Sequence, residues 1–521
     1  MPAYLFPVPA NETLGLLLSV DASAFSLTSV GANSDVLTSA LARYTAMLFP
    51  FGASSVTGGT VARATVNVTG TDVSIGLHTD ESYALTTDGT SGAVAITAAT
   101  AFGALRALET LSQLVQWNQS TQTYFMPTAD IFDTPRFLFR GLMVDTARHF
   151  LSLPALRAII DLMSYDKLNV LHIHISDDDS WPLVIDALPL LASRGAYSNY
   201  SHSYTAADMK ALVAYARERG IRVIPEFDTP SHFGIIQRSY PEYMASHAPG
   251  SYCLVDPSNP GLVPFLTTIW TALADIFPDD TVHIGGDEFW PTCWTENAKI
   301  MAWAAAMNVT NVEAMYNYYV KEVVGIVTAL GKNVIGWHEI HGFNGTGPLQ
   351  SDRVTLDVWS GFYGGSWQAD VAQAVNATVN ASVVVSGPFY VTGTERSLSY
   401  HYHNTWEVMY AQDLWNFTGS DDAPSRARVL GGKLCLWGDA AQVDSGDVFI
   451  TAAPYMHGLA ETLWSPQDRT SGKSPDGARE RLHYHRCRMT ARGFPGHPIY
   501  FFGAPPCPLP YNLTWLPAWE F

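Results

Sequence analysis

Cysteine is scarce in this chain. Its 521 residues hold five, Cys253, Cys293, Cys435, Cys487 and Cys507, and none forms a Cys-x-x-Cys pair. That spacing points to no zinc site. Long apolar runs are missing too: no stretch of about 18 uninterrupted apolar residues occurs, so no spanning helix is expected. Positive charge is short, with 29 Lys and Arg against 48 Asp and Glu and a formal net charge of −19. Such a surface argues against nucleic acid and against anionic membranes as partners. Met1 to Val20 has no basic region ahead of an apolar core, so it does not read as an intact signal peptide.

What is present belongs to a large folded protein. The chain is 47% hydrophobic and 15% charged, which suits a sizeable core and excludes disorder. Its length accommodates two domains, or one large barrel with an appendage. Asn-x-Ser/Thr sequons begin at Asn11, Asn67, Asn118, Asn199, Asn308, Asn344, Asn376, Asn380, Asn416 and Asn512. Ten of them point to a glycosylated protein of the secretory pathway, lysosomal or extracellular. The acidic balance suits a compartment of low pH, where part of the charge is neutralised.

Residues 1–132 read as a small α+β domain, rich in Thr, Ser, Ala and Val. Strand-like stretches fall at Thr65–Val68, Val73–Leu77 and Ala93–Ile96. An amphipathic helix is expected from Ala101 to Leu114, where apolar residues recur at three and four. Asp133-Thr134-Pro135 marks the boundary, and residues 133–521 form the second domain. There, eight strand-like segments, 141–145, 169–176, 221–227, 281–285, 333–338, 354–359, 382–386 and 433–437, alternate with helix-period stretches such as Leu153–Tyr165, Ala206–Arg219 and Val312–Leu330. The fold class is therefore α/β, a (β/α)8 barrel preceded by a smaller α+β domain, with reactive residues expected where each strand stops.

The stretch Thr281 to Trp290, TVHIGGDEFW, carries the most chemistry. An apolar, β-branched run is followed by two glycines, which let the backbone turn or approach a ligand closely. Two adjacent carboxylates and two aromatics follow. Asp287 and Glu288 would point to opposite sides of a continuing strand, and border one pocket only at a strand end. An aromatic pocket would split their pKa values, leaving one ionised and the other able to donate a proton.

His283-Ile284-Gly285-Gly286-Asp287-Glu288 resembles the signature of the family 20 glycoside hydrolases, the β-N-acetylhexosaminidases, and the resemblance runs from about Arg136 to Cys507. It implies an exo-acting enzyme that retains anomeric configuration by substrate-assisted catalysis on terminal β-linked N-acetylhexosamine. Glu288 would be the acid, Asp287 would steer the substrate's acetamido group and Tyr390 would hold the acetamido oxygen. It further implies Arg148 as a substrate-binding arginine, and a network of Asp177 and His232 tuning Glu288. Trp337, Trp359 and Trp437, each at a barrel strand end, would box the sugar. Asp439 stands where glutamate is common, and Thr392 where an acidic or amide residue is common; the contacts to the sugar's outer hydroxyls turn on them. Similarity to the animal members implies disulfides Cys253–Cys293 and Cys487–Cys507, with Cys435 left as a buried thiol.

Bland readings stand beside these. Arg148 could hold Asp145 or another barrel carboxylate, and His232 could be structural. His172 and His174, which share a strand face, with His283 invite a metal, but satisfied barrel histidines are commoner, and no metal or cofactor is expected. Glu226 and Asp228 read as barrel hydrogen-bonding groups, and Asp178 or Asp179 as a cap for the next helix. The aromatic-rich connection 394–430, with Tyr400, Tyr402, Trp406 and Tyr410, reads as a lid or a homodimer contact. Two alternative functions remain on the same fold: a non-catalytic glycan-binding protein, and a hydrolase releasing a terminal disaccharide.

Overall fold

The structure is a computed structural model that describes residues 4–52, 61–245, 254–309, 311–341, 352–360, 365–376, 379–391, 405–441, 443–470 and 476–500, with positions 503, 505 and 507. The first sheet contains β1 (Asn11–Val20), β2 (Ser26–Gly31), β3 (Arg63–Val68), β4 (Tyr83–Thr87), β5 (Ala93–Ala98), β6 (Gln116–Asn118) and β7 (Thr123–Asp133). Its order is β1-β7-β4-β5-β3-β2, with β6 beside β7. β2, β3 and β5 run parallel, and the other pairs are antiparallel. The expected stretch Val73–Leu77 is not a strand; its backbone is irregular and most of it stays in contact with water, so apolar alternation there had no sheet to join.

The helix Ala101–Leu114 forms as expected, capped by Thr100, whose hydroxyl accepts from the Gly103 N–H. It is buried on nearly every side because it lies between the sheet and the second domain. At that junction Glu81 accepts from Arg106 at 2.7 Å and Arg140 at 2.5 Å, while Lys167 meets Asp133 at 2.8 Å. Such pairs persist in a dry interface because each charge has a partner; removing one would strand the other.

Eight parallel strands close into a barrel: β8 (Phe139–Asp145), β9 (Val170–Ser176), β10 (Arg222–Phe227), β11 (Thr281–His283), β12 (Asn333–Trp337), β13 (Val354–Val358), β14 (Ser382–Val385) and β15 (Val429–Leu436). Neighbours pair in chain order and β15 returns to β8. Their near-continuous apolar character follows from burial on both faces, because helices such as Leu153–Tyr165 and Val312–Ala329 cover the outside.

Alternate residues along each strand point inward, so the interior is layered. Phe139, Val170, Ile224, Ile335 and Val384 fill the level where the strands begin. One step along, His172, Glu226, His283, Asp357 and Lys433 form an ionic layer. Met143, Trp337 and Cys435 pack next, against Trp359, Tyr390 and Trp437. The chain thus grows more polar and aromatic toward the strand C-termini. The first domain sits at the opposite end, where Arg106 donates to the carbonyls of Leu168 and Gly220.

Cys487 and Cys507 are bridged and Cys435 is a buried free thiol. Cys253 lies outside the described residues; Leu254 donates its N–H to Cys293 Sγ at 3.2 Å, which brings the neighbouring chain to that sulfur. Of the sequons, Asn344 and Asn512 lie outside the described residues, and none of the other asparagines is buried. Tyr400 and Tyr402 also lie outside them. Trp406 and Tyr410 are buried in the short helix Trp406–Tyr410, which packs on the helix Val448–Trp464.

Candidate active site

β11 stops at His283, earlier than the sequence suggests, because the next residues leave extended geometry. Gly285 and Gly286 have φ of +66° and +103°. A side chain at Gly285 would meet Asp228 Oδ1 at 1.8 Å, and one at Gly286 would meet Ile340 Cγ2 at 2.5 Å. Only glycine permits this turn. Its N–H groups are not wasted: Gly286 donates to Asp228 Oδ1 at 2.7 Å, and Tyr316 donates to the Gly286 carbonyl. Glu288 itself has φ of +48°. The turn sends Asp287 inward, its side chain 11% exposed, and Glu288 toward solvent, its side chain 50% exposed.

His232, also at positive φ, joins the two. Its Nε2 lies 3.2 Å from Glu288 Oε2 and 3.9 Å from Asp287 Oδ2, and its Nδ1 lies 3.3 Å from Asp177 Oδ1. Asp177 also pairs with His174 Nε2 at 2.8 Å and Arg148 Nη2 at 2.8 Å. His174 passes the contact inward to Glu226 at 2.7 Å, and Glu226 meets His172 and His283, each at 3.0 Å. A connected row of ionisable groups therefore runs from the rim to the barrel centre, where Lys433 meets Asp357 at 2.5 Å.

The electrostatics follow from these contacts. Glu288 is lowered from its ordinary value chiefly by the hydrogen bond with His232. Burial alone would depress His232, but Asp287, Asp177 and Glu288 outweigh it and raise it well above 6.5. Asp287 is raised by burial, and Asp228, buried beneath the glycine turn beside it, is raised well above the usual carboxylate range. Splitting of the adjacent carboxylates occurs, but with the proton affinities reversed from the expected assignment. Glu288 is half exposed and beside the His232 imidazole, and their contact strengthens the ring's hold on a proton while weakening that of Glu288.

Arg148 holds both Asp145 at 3.3 Å and Asp177, and its guanidinium lies 5.1 Å from the Trp437 ring. The carboxylates Asp145, Asp177 and Asp439 raise it although burial works against them. Its head is held by these carboxylates and is still 15% exposed at the rim. Asp439 is exposed at the start of the turn that follows β15. Thr392 lies outside the described residues.

Trp337, Trp359, Tyr390 and Trp437 come together. Ring centroids lie 5.9 Å apart for Trp337–Trp437, 6.5 Å for Trp337–Trp359, 6.2 Å for Trp359–Tyr390 and 6.4 Å for Tyr390–Trp437. Trp337 is fully buried as the floor, and the other three line the mouth. Burial raises the Tyr390 phenol, which therefore stays neutral and able to donate.

Glu339 belongs to this group, though no sequence motif singles it out. Its carboxylate accepts from Trp359 Nε1 at 2.9 Å and 3.0 Å, and burial together with Asp287 raises it well above its ordinary value. Its place directly after β12 was the available signal. Asp178 caps no following helix; it accepts from the Gly234 N–H at 2.6 Å, while Asp179 lies 3.9 Å from Arg148. His172 and His283 are occupied by Glu226, which with them makes one of several His and carboxylate groups close enough to bind an ion.

The chain as a whole is similar to known proteins. Residues 137–467 match the family model for the glycosyl hydrolase family 20 catalytic domain, and residues 6–114 match a domain described as beta-acetyl hexosaminidase like. The chain is 33% identical over 483 residues to the beta-hexosaminidase subunit beta of Sus scrofa, covering 90% of this chain and 86% of that one. It is 33% identical over 393 residues to the alpha subunit of Rattus norvegicus, covering 74% and 71%. Among solved structures, the chitobiase of Flavobacterium johnsoniae superimposes with a TM-score of 0.82 at 27% identity, over 94% of this chain and 73% of that one. With a catalytic-domain match that spans the whole barrel and relatives aligned along most of their length, the chain belongs to glycosyl hydrolase family 20 and is a glycoside hydrolase.

Proposed function

We propose that the protein is an exo-acting, retaining β-N-acetylhexosaminidase whose nucleophile is the acetamido oxygen of the substrate. The observation that carries this reading is at Asp287. Its Oδ1 is buried and accepts from no N–H among the described residues, the neighbouring Asp228 carboxyl being the one group that shares a proton with this side chain. A buried acceptor left open costs stability unless a ligand supplies the donor, and an acetamido N–H would supply one.

Asp287 and Glu288 leave one strand end together, so they are poorly placed to stand on opposite sides of an anomeric carbon as acid and nucleophile. Attack by the substrate's own amide removes that requirement. The acetamido oxygen bonds to C1 as the glycosidic C–O bond breaks, and Glu288 gives its proton to the departing oxygen. The resulting oxazolinium carries its positive charge beside Asp287. Glu288 then takes a proton from water as that water attacks C1, which restores the amide and retains configuration. His232 supplies the proton that Glu288 needs at the start, because substrate excludes the water that favours the ion pair. Tyr390 donates to the acetamido oxygen, and Trp337, Trp359 and Trp437 hold the group in its attacking geometry, an effective-concentration gain. Arg148 and Asp439 would meet the outer hydroxyls.

The substrate class is a glycoconjugate or oligosaccharide ending in β-linked N-acetylglucosamine or N-acetylgalactosamine. The sequons and the Cys487–Cys507 bridge support a secretory-pathway location. Among the described residues no helix is long and apolar enough to cross a membrane. The test compares an aryl β-N-acetylglucosaminide with the matching β-glucoside. Cleavage confined to the N-acetylated sugar, with competitive inhibition by the bicyclic thiazoline analogue, is expected. Equal rates on both, or a sugar trapped covalently on a side chain, would reject substrate assistance.

A further inference from the structure

A cavity of about 360 Å³ lies between the first domain and the barrel. Tyr165, which lines it, ends the helix that leads into the start of β9. The cavity is therefore at the strand N-termini, the end of the barrel away from the reacting carboxylates. A third of the residues lining it are aromatic. Phe51 and Tyr124 flank Trp117, with ring centroids 5.4 Å and 4.6 Å away, and Tyr4 stacks on Tyr484 at 4.4 Å.

Its charge is one-sided. In a chain of net charge −19, the described residues lining this cavity include Arg43, Arg488 and Arg492 and no Asp or Glu. Arg492 is paired with Glu109 at 3.0 Å, and Arg43 donates to the Glu218 carbonyl and to Ser39. Arg488 differs. Both of its terminal nitrogens reach only the Tyr4 carbonyl, at 2.8 Å, and its Nε has no partner. Burial and the neighbouring Arg492 push it down to about 9, so it is still a cation at neutral pH. Arg488 is half-buried with no carboxylate in hydrogen-bond contact, and an anion beside it would offset the cost of that partial desolvation.

We propose that this cavity is a ligand site for an aromatic carboxylate, its flat body held among the tyrosines and Trp117 and its charge met by Arg488. The volume falls within the range of small-molecule sites, and the combination of aromatic side chains with arginines and no lining carboxylate selects an anion over a neutral ring. Because the walls come from both domains, the ligand clamps them together and stabilises the native chain.

The full-length protein is titrated by calorimetry with 2-naphthoate and with its neutral counterpart 2-naphthamide. Saturable binding of one naphthoate per chain is expected, with the amide weaker by about 10-fold or more. Arg488→Met should remove the preference for the acid. Ala46→Trp, at an exposed position on the cavity wall, should weaken both ligands by obstruction and leave hydrolysis of an aryl N-acetylglucosaminide unchanged. It also serves if Arg488→Met fails to fold. No saturable heat at millimolar naphthoate, equal affinity for acid and amide, or binding unaffected by Ala46→Trp would each overturn the assignment.

Discussion

His232 Nε2 lies 3.2 Å from Glu288 Oε2 while its Nδ1 lies 3.3 Å from Asp177 Oδ1, so one imidazole ring bridges the solvent-facing acid and the buried ionic row. Holding two carboxylates, the ring is cationic in the free protein and Glu288 is anionic. In the proposed mechanism the proton given to the leaving oxygen therefore belongs to the pair, and the pair titrates as a unit.

The pH profile should show this. His232 is raised well above 6.5 and Glu288 is lowered, so kcat/KM should fall on the alkaline side as pH rises through the raised value. In His232→Ala the proton has only Glu288 to rest on, and the alkaline limb should move to lower pH. A variant with an unmoved limb would show that the ring only supports structure.

Glu288→Gln keeps size and polarity and removes the proton donor. Its turnover on an unactivated β-N-acetylglucosaminide should fall by about 10²-fold or more. Glu288 is half exposed, so the melting temperature should change little. Near-normal turnover would remove Glu288 from the acid's place.

Asp287→Asn turns an acceptor oxygen into an amide of equal size. Turnover of N-acetylated substrates should fall on the order of 10²-fold, and affinity for the thiazoline analogue should fall with it. Unchanged kinetics would show that the open Oδ1 does not receive the acetamido N–H.

His174 makes a stability prediction. Glu226 and Asp177 overcome burial and raise it from 6.5 to about 9. A raised folded-state value means its contribution is complete below pH 6.5 and lost as pH rises through about 9. Chemical denaturation across that window should show stability declining, by an amount on the order of 3 kcal/mol if the whole shift is expressed. His174→Gln should flatten that decline.

Gly285→Ala places a methyl where Asp228 already stands, at positive φ. Destabilisation of about 3 kcal/mol or more is expected, with loss of activity because the turn aims both carboxylates. Gly325→Ala is the control. It lies within the helix Val312–Ala329, and a methyl added there would meet nothing within 4 Å. It should be neutral or stabilising by up to about 1 kcal/mol.

The barrel was legible because its signals are local. Strands buried on both faces read as apolar runs, and the helices Leu153–Tyr165 and Ala101–Leu114 begin and end where periodicity and their caps Ser152 and Thr100 place them. The tryptophans at 337, 359 and 437 could be placed together from their strand-end positions and the family resemblance. Val73–Leu77 misled because alternation reports a capacity to pair, and no neighbouring strand is there. Trp406 and Tyr410 turn inward, which composition could not foretell because it does not say which face of a short helix meets a core.

What the chain's order of residues determined by itself is which candidate groups stand at which strand ends: Asp287 and Glu288 after two glycines, Tyr390 after β14, Asp177 after β9. Tertiary structure alone decided which of them share a proton. The balance among Glu288, His232 and Asp177 depends on distances of 3.2 and 3.3 Å between residues more than fifty positions apart. It also depends on how much water each retains, because in a low dielectric a neighbour's charge and the loss of solvent outweigh a side chain's intrinsic affinity for a proton.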